Sequence, residues 1–231
     1  MLSRRTLLSA SATGGAVTLA GLTMAVRARA QGRRPAAETV NVEELMKAGP
    51  LGDVFLGKAD APVTVVEYAS LTCGHCASFH TGTLPALKQK YVDTGKVRLV
   101  FREFPLNQLD AAVYMLARCM LQADGKAAGG NQDRYFALID VLFRQQRVWA
   151  FGNDPLAAIT TITRQAGMTQ PEFEACLNNQ AILDGLNATR DRAVNAFGVE
   201  STPTFFVNGK RVLGAQPLAE FEKIIDPLLP A

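Results

Sequence analysis

The chain has 231 residues, 48% hydrophobic and 19% charged, a balance that suits one large or two small globular domains and excludes a disordered chain. Four cysteines are too few for a disulfide-framework miniprotein, and 19 Gly with 11 Pro exclude collagen and proline-rich spacers. The net charge of +3 comes from the first 30 residues, where Arg4, Arg5, Arg27 and Arg29 stand without an acid. The remainder sums to −1, so no electrostatic case exists for nucleic acid or membrane lipid as a partner.

Residues 1–30 have the parts of a cleaved export signal. Ser3-Arg4-Arg5-Thr6-Leu7-Leu8 carries a twin-arginine pair, residues 6–26 are mildly apolar, and Ala28-Arg29-Ala30 is a small-x-small cleavage site. The arginine pair and the diluted apolar stretch resemble a Tat signal, though the Sec route uses similar parts. The alternative is an uncleaved N-terminal anchor, which the Gly, Ser and Thr content makes a poor one. Export leads to a periplasmic or other oxidising compartment, in which the cysteines are read as oxidisable thiols.

Gln31 to about Ala37 reads as a loose tether, and Val42–Lys47 as a short helix, so residues 31–52 precede a domain expected at 53–231. Val54-Phe55-Leu56 is a short strand candidate. Val63 to Tyr68 is β-branched and apolar on both faces, as a buried strand is. After Ala69–Thr72 comes Cys73-Gly74-His75-Cys76, then a helical pattern to about Val92, with a break or kink expected at Gly82 and Pro85. Val97 to Phe101 is a second strand. Helical periodicity then governs Leu109–Ala123, Asp133–Phe143, Asp154–Gln165, Gln170–Leu177 and Ala181–Phe197, with a Gly-rich mobile loop expected at 124–131. Strand texture returns at Thr204–Val207 and Arg211–Leu213, joined by Asn208-Gly209, a strong hairpin signal, and Pro217 opens a last helix. A helical block between two strand blocks implies an insertion, at about 105–198, inside an α/β domain.

Cys-x-x-Cys at the start of a helix has a chemical meaning. The thiolate is the reactive species in disulfide exchange, and an ordinary thiol with a pKa of about 8.5 is mostly protonated at neutral pH. A helix N-terminus offers unpaired N–H groups and the positive end of the macrodipole, which favour an anion at Cys73 over one at Cys76. Cys73 is therefore the expected nucleophile, and Cys76 the buried resolving thiol. His75, charged or through an N–H donor, is expected to stabilise the Cys73 thiolate further; the alternative is an exposed filler residue. His80, one turn past Cys76, is expected on the helix surface. Glu67, on the strand feeding the motif, is expected beneath the site. Burial raises a carboxylate's pKa, so Glu67 could accept the Cys76 proton; the alternative is an exposed strand-end Glu. A zinc site needs two more paired ligands, and no second Cys pair exists, so no metal is expected. Cys119 and Cys176 lie on helices of the insertion; in an oxidising compartment they are expected to form a structural disulfide, the alternative being two buried thiols.

The segments Glu67-Tyr68-Ala69-Ser70-Leu71-Thr72-Cys73-Gly74-His75-Cys76 and Ser201-Thr202-Pro203-Thr204-Phe205-Phe206-Val207-Asn208-Gly209 together resemble the DsbA-type thiol:disulfide oxidoreductases of the thioredoxin superfamily. The resemblance implies an α/β thioredoxin-like fold with a helical insertion subdomain. It implies a cis Thr202-Pro203 bond facing the cysteines, with Thr202 and Pro203 binding an extended substrate through main-chain bonds. It also implies no cofactor beyond the redox-active Cys73–Cys76 disulfide, unfolded or reduced exported proteins as clients, and a quinone-linked membrane partner for reoxidation. Gly74-His75 and a Thr before the proline resemble the isomerase branch instead, so an isomerase or reductase of the same fold is the alternative, and a peptide-binding chaperone the third reading.

Overall fold

The computed structural model describes residues 38–122 and 132–230. The export leader, the tether to Ala37 and the Gly-rich loop at 124–131 lie outside the described residues. The five-stranded sheet runs β1-β3-β2-β4-β5, with β1 at Val54–Leu56, β2 at Val63–Ala69, β3 at Val97–Glu103, β4 at Thr204–Val207 and β5 at Lys210–Leu213. β2 and β3 are parallel, Val65 lying opposite Leu99. β1 is antiparallel to β3, as is β4 to β2 and β5 to β4. The parallel pair is central and buried on both faces, as its unbroken β-branched runs require.

Alternation along β2 divides the core. Val63, Val65 and Glu67 share one face, where the two valines pack with Phe79, Leu87, Phe205 and Phe221. Val66 and Tyr68 face the other way and pack with Leu45, Phe197 and Phe206. Leu45 belongs to α1, Val42–Met46, capped by the Asn41 side chain. Residues 38–52 are thus packed into the domain: Thr39 bridges Lys210, and Arg118 donates to the carbonyls of Leu51 and Gly52.

The run after Cys73 stays helical through α2 at Gly74–Ser78, a π turn at Phe79–Thr83, α3 at Leu84–Leu87 and a second π turn at Lys88–Val92. The expected interruption becomes a change of pitch. Pro85 lacks an N–H, and the Leu84 N–H reaches back to the Phe79 carbonyl. Between β3 and β4 come α4 at Gln108–Gln122, α5 at Gln132–Arg144, α6 at Gln146–Trp149, α7 at Pro155–Gln165, α8 at Gln170–Leu177 and α9 at Gln180–Phe197. The four-residue α6 is too short to show a helical period in the sequence. Asp154 and Thr169 cap α7 and α8, and Gly198 ends α9 in the left-handed region at φ 60°. The insertion is anchored to the sheet by a buried cluster in which Arg118 and Tyr135 both donate to the Glu103 carboxylate. It is also tied internally by a Cys119–Cys176 disulfide joining α4 to α8. Asn208 and Gly209, at φ 43° and 87°, form the β4–β5 turn, and α10 at Leu218–Ile225 then covers the Phe79 side of the sheet, followed by a 3-10 turn at Asp226–Leu228.

Candidate active site

Cys73 is the N-cap of α2, its backbone extended at φ −85°, ψ 120°. The cap position leaves its sulfur partly exposed while the following N–H groups turn toward it. Cys76 is fully buried one turn along, and neither cysteine is in a disulfide. Across the site the Thr202-Pro203 bond is cis, and the Cys73 thiol donates to the Thr202 carbonyl at 3.3 Å.

The two thiols are driven apart electrostatically. The Cys73 pKa falls to about 5, chiefly because the Cys76 thiol hydrogen-bonds to its sulfur. The Thr202 side chain and the backbone N–H groups of Cys76 and His75 add to this, against an opposing desolvation. Cys76 is pushed well up, by burial first and then by its bond to Cys73 and the nearby Cys73 and Glu67 charges. The His75 group bonded to the Cys73 sulfur is thus its backbone N–H, while its side chain is exposed.

Glu67 is fully buried on the β2 face toward the cysteine helix. Its carboxylate lies 3.0 and 3.2 Å from the His80 Nε2. His80 corrects the expectation of a surface residue: it is 5% exposed and stacks on Phe143 of α5 at 4.0 Å. The helical run is sandwiched between sheet and insertion, so a second face is covered beyond the stripe that carries Phe79.

Three further residues build the site, and the sequence did not single them out. Asp110, fully buried on α4, accepts from the Leu71 N–H at 3.0 Å, the Ser70 hydroxyl at 2.5 Å and the Leu106 N–H at 2.9 Å. Burial outweighs these bonds and lifts its carboxyl to about 6. The Ser70 N–H points to the Cys76 sulfur at 3.5 Å. Gln146, on α6, donates to the carbonyls of Leu71 and Cys73 at 2.7 and 2.9 Å. Asn107 accepting from the Asp110 N–H reads in sequence as an ordinary helix start, and Gln146 carries no motif at all. Beside α2 a cleft of about 640 Å³ is lined by Gly74, Ala77, Phe143, Arg147 and Phe151, among others.

A low-pKa exposed thiol paired with a high-pKa buried one, at a helix start and facing a cis-proline loop, is suited to thiol–disulfide exchange. A family model described as thioredoxin matches residues 51–227. A protein-disulfide oxidoreductase of Rickettsia bellii is 36% identical over 157 residues, which are 68% of this chain and 57% of that protein. Disulfide bond formation protein D of Bacillus anthracis is 29% identical over 163 residues, 67% of this chain and 69% of that one. The crystal structure of alpha-DsbA1 from Wolbachia pipientis matches with a TM-score of 0.72 at 32% identity, covering 81% of this chain and 96% of that chain. The chain belongs to the thioredoxin family and, within it, to the DsbA-type thiol:disulfide oxidoreductases, with the α/β fold and helical insertion expected from the sequence. It spans little more than half the length of the rickettsial relative, 57%.

Proposed function

We propose that the protein is an exported oxidase that introduces disulfides into unfolded, reduced secreted or periplasmic proteins. The observation that carries this reading is the placement of Cys73 at the N-cap of α2, against the cis Thr202-Pro203 bond and with Cys76 fully buried behind it, an environment that lowers the Cys73 pKa to about 5. A client thiolate attacks the Cys73 sulfur, the Cys73–Cys76 bond breaks, and its electron pair leaves on Cys76. A second client thiolate then attacks the client sulfur of the mixed disulfide, and Cys73 departs as a thiolate. A low pKa makes Cys73 a good leaving group and stabilises the reduced enzyme, which favours net oxidation of the client. Glu67 exchanges the proton of Cys76, and the exposed His75 ring adds positive charge beside Cys73 when protonated. Pro203 has no N–H to give, so the Thr202 main chain pairs with extended clients of any sequence. A membrane partner that passes electrons to quinone restores the disulfide, which is the only redox group required.

Export is supported by the twin-arginine leader; among the described residues no helix is long and apolar enough to cross a membrane. N-terminal sequencing of the exported protein should begin at Gln31, and an intact leader would instead indicate an anchor. The activity is tested with a reduced, unfolded disulfide protein. The oxidised enzyme should convert it to disulfide forms, and Cys76→Ser should trap it as a mixed disulfide on Cys73. Gly74-His75 and Thr202 favour a second reading, an isomerase or reductase. A protein that only reshuffles or cleaves existing client disulfides would establish it. Aggregation protection that survives Cys73→Ser unaltered would favour a peptide-binding chaperone.

A further inference from the structure

The loop Ser70–Thr72 carries the chain from β2 into the cysteine helix, and the insertion grips it from two sides. The Leu71 peptide gives its N–H to Asp110 and its carbonyl to Gln146. Asp110 also takes the Ser70 hydroxyl at 2.5 Å, the Leu106 N–H at 2.9 Å and the Thr72 hydroxyl at 3.4 Å. Ser70 in turn touches both cysteines: its N–H points to the Cys76 sulfur at 3.5 Å, and its carbonyl accepts from the Cys73 N–H at 3.2 Å. One buried carboxylate thereby fixes the residue that sits between the two halves of the redox pair.

We propose that Asp110 is a positioning residue for thiol exchange, holding the Ser70 N–H on the Cys76 sulfur, the atom that leaves when a thiolate attacks Cys73. The inference rests on the exchange reading above. In that step the attacking thiolate supplies the electron pair of the new bond to the Cys73 sulfur. The Cys73–Cys76 bond breaks and its pair goes to Cys76, in a site with little water to solvate it. A backbone donor already aimed at that sulfur stabilises the departing thiolate without reorganisation. A protonated Asp110 holds the loop less well, because one of its acceptor sites becomes a donor. With its carboxyl at about 6, this change falls within an ordinary working pH range. The titratable groups around it are Tyr114 on the same helix, Cys76 across Ser70, and Glu67 with His80 beyond Cys76; Asn107, Gln146, Ser70 and Thr72 are uncharged.

The test follows reduction of the oxidised protein by excess glutathione from about pH 5 to about pH 8, with rates expressed per glutathione thiolate. The native rate should rise with an inflection near the Asp110 value of about 6. Asp110→Asn should remove the inflection and lower the plateau by about tenfold, the order expected for losing a hydrogen bond to a charged group. Alkylation of reduced Cys73 by iodoacetamide, which involves no departure of Cys76, should change by less than about twofold. If both rates fall together, Asp110 serves folding alone and the proposal is overturned. An inflection that persists in Asp110→Asn belongs to a group other than Asp110 and overturns it too. Should Asp110→Asn not fold, Ser70→Ala decides, because it cuts the hydroxyl link while leaving Asp110 its Leu71 and Leu106 bonds. A reduced glutathione rate supports the proposal, and an unchanged rate ends it. A native protein inert to glutathione would sink the exchange reading itself, whereas variants that match an active native protein would sink only the role of Asp110.

Discussion

Replacing Cys76 by Ala removes the largest contribution to the acidity of Cys73, the hydrogen bond from the Cys76 thiol. At the Cys73 value of about 5, roughly 99% of the thiol is ionised at pH 7, against about 3% for an ordinary cysteine of pKa about 8.5. Two pH units would correspond to about 3 kcal/mol, but Cys73 is half-buried, and solvent screening reduces this to about 1–2 kcal/mol. A net stabilisation of that size makes the disulfide more oxidising by roughly 20–45 mV. A hydrogen bond to a charged group contributes about 1.5–3 kcal/mol before screening, so Cys76→Ala should raise the Cys73 midpoint by about 1–2 pH units. Cys76→Ser keeps an O–H donor in place and should recover most of the native value. The assay is the pH dependence of iodoacetamide alkylation, checked by the ultraviolet absorbance of the thiolate. A Cys76→Ala midpoint that stays near 5 would refute the reasoning, because the Thr202 side chain and the backbone N–H groups would then be holding the charge.

The same shift sets the relative stability of the two redox forms. The folded value lies below the unfolded one, so the reduced protein gains stability as pH rises above about 5 and loses it as pH falls through that value. Chemical denaturation at pH 7 should find the reduced form more stable than the oxidised form, with the gap closing toward pH 4 to 5, about where Cys73 protonates. The Cys119–Cys176 bond has a sequence separation of 57, and closing a loop of that length is worth about 4 kcal/mol in the chain-entropy model. Replacing both cysteines by Ala should lower stability by about 2–4 kcal/mol while leaving the potential of Cys73–Cys76 unchanged. Gln146→Ala leaves the Leu71 and Cys73 carbonyls without their side-chain donor and should cost about 1–3 kcal/mol, measured by denaturation, with slower glutathione exchange. Asp110 has a raised folded value, so its contribution is present below about pH 4 and lost as pH rises through about 6; Asp110→Asn should flatten that slope in a stability-against-pH profile.

Much of this architecture can be read from local chemistry. The β-branched runs at 63–68 and 97–101, the Asn208-Gly209 turn and the helical periodicity at Asp154–Gln165 and Gln170–Leu177 all lie where strands, hairpin and helices form. Cys73 and Cys76 are legible because their chemistry depends on short spacing and on a helix start. His80 is buried although helical spacing places it at the surface, because periodicity counts one buried face and the folded insertion covers another with Phe143. Asp110 and Gln146 act 37 and 73 residues from Cys73, and no local pattern records which loop a carboxylate or amide will meet. The residues that hold the loop between β2 and α2 are therefore the ones the sequence hides, while the paired cysteines at the helix start are the ones it displays.

The most direct measurement is the reduction potential of Cys73–Cys76, obtained by equilibrating the protein in glutathione buffers and quantifying the two redox forms. An oxidase whose reduced form is stabilised by a Cys73 thiolate of pKa about 5 should lie clearly above thioredoxin, toward the roughly −180 mV of isomerase-like oxidants. A value near −270 mV, roughly that of thioredoxin, would mean the thiolate confers no oxidising power, and would contradict the oxidase in favour of a reductase.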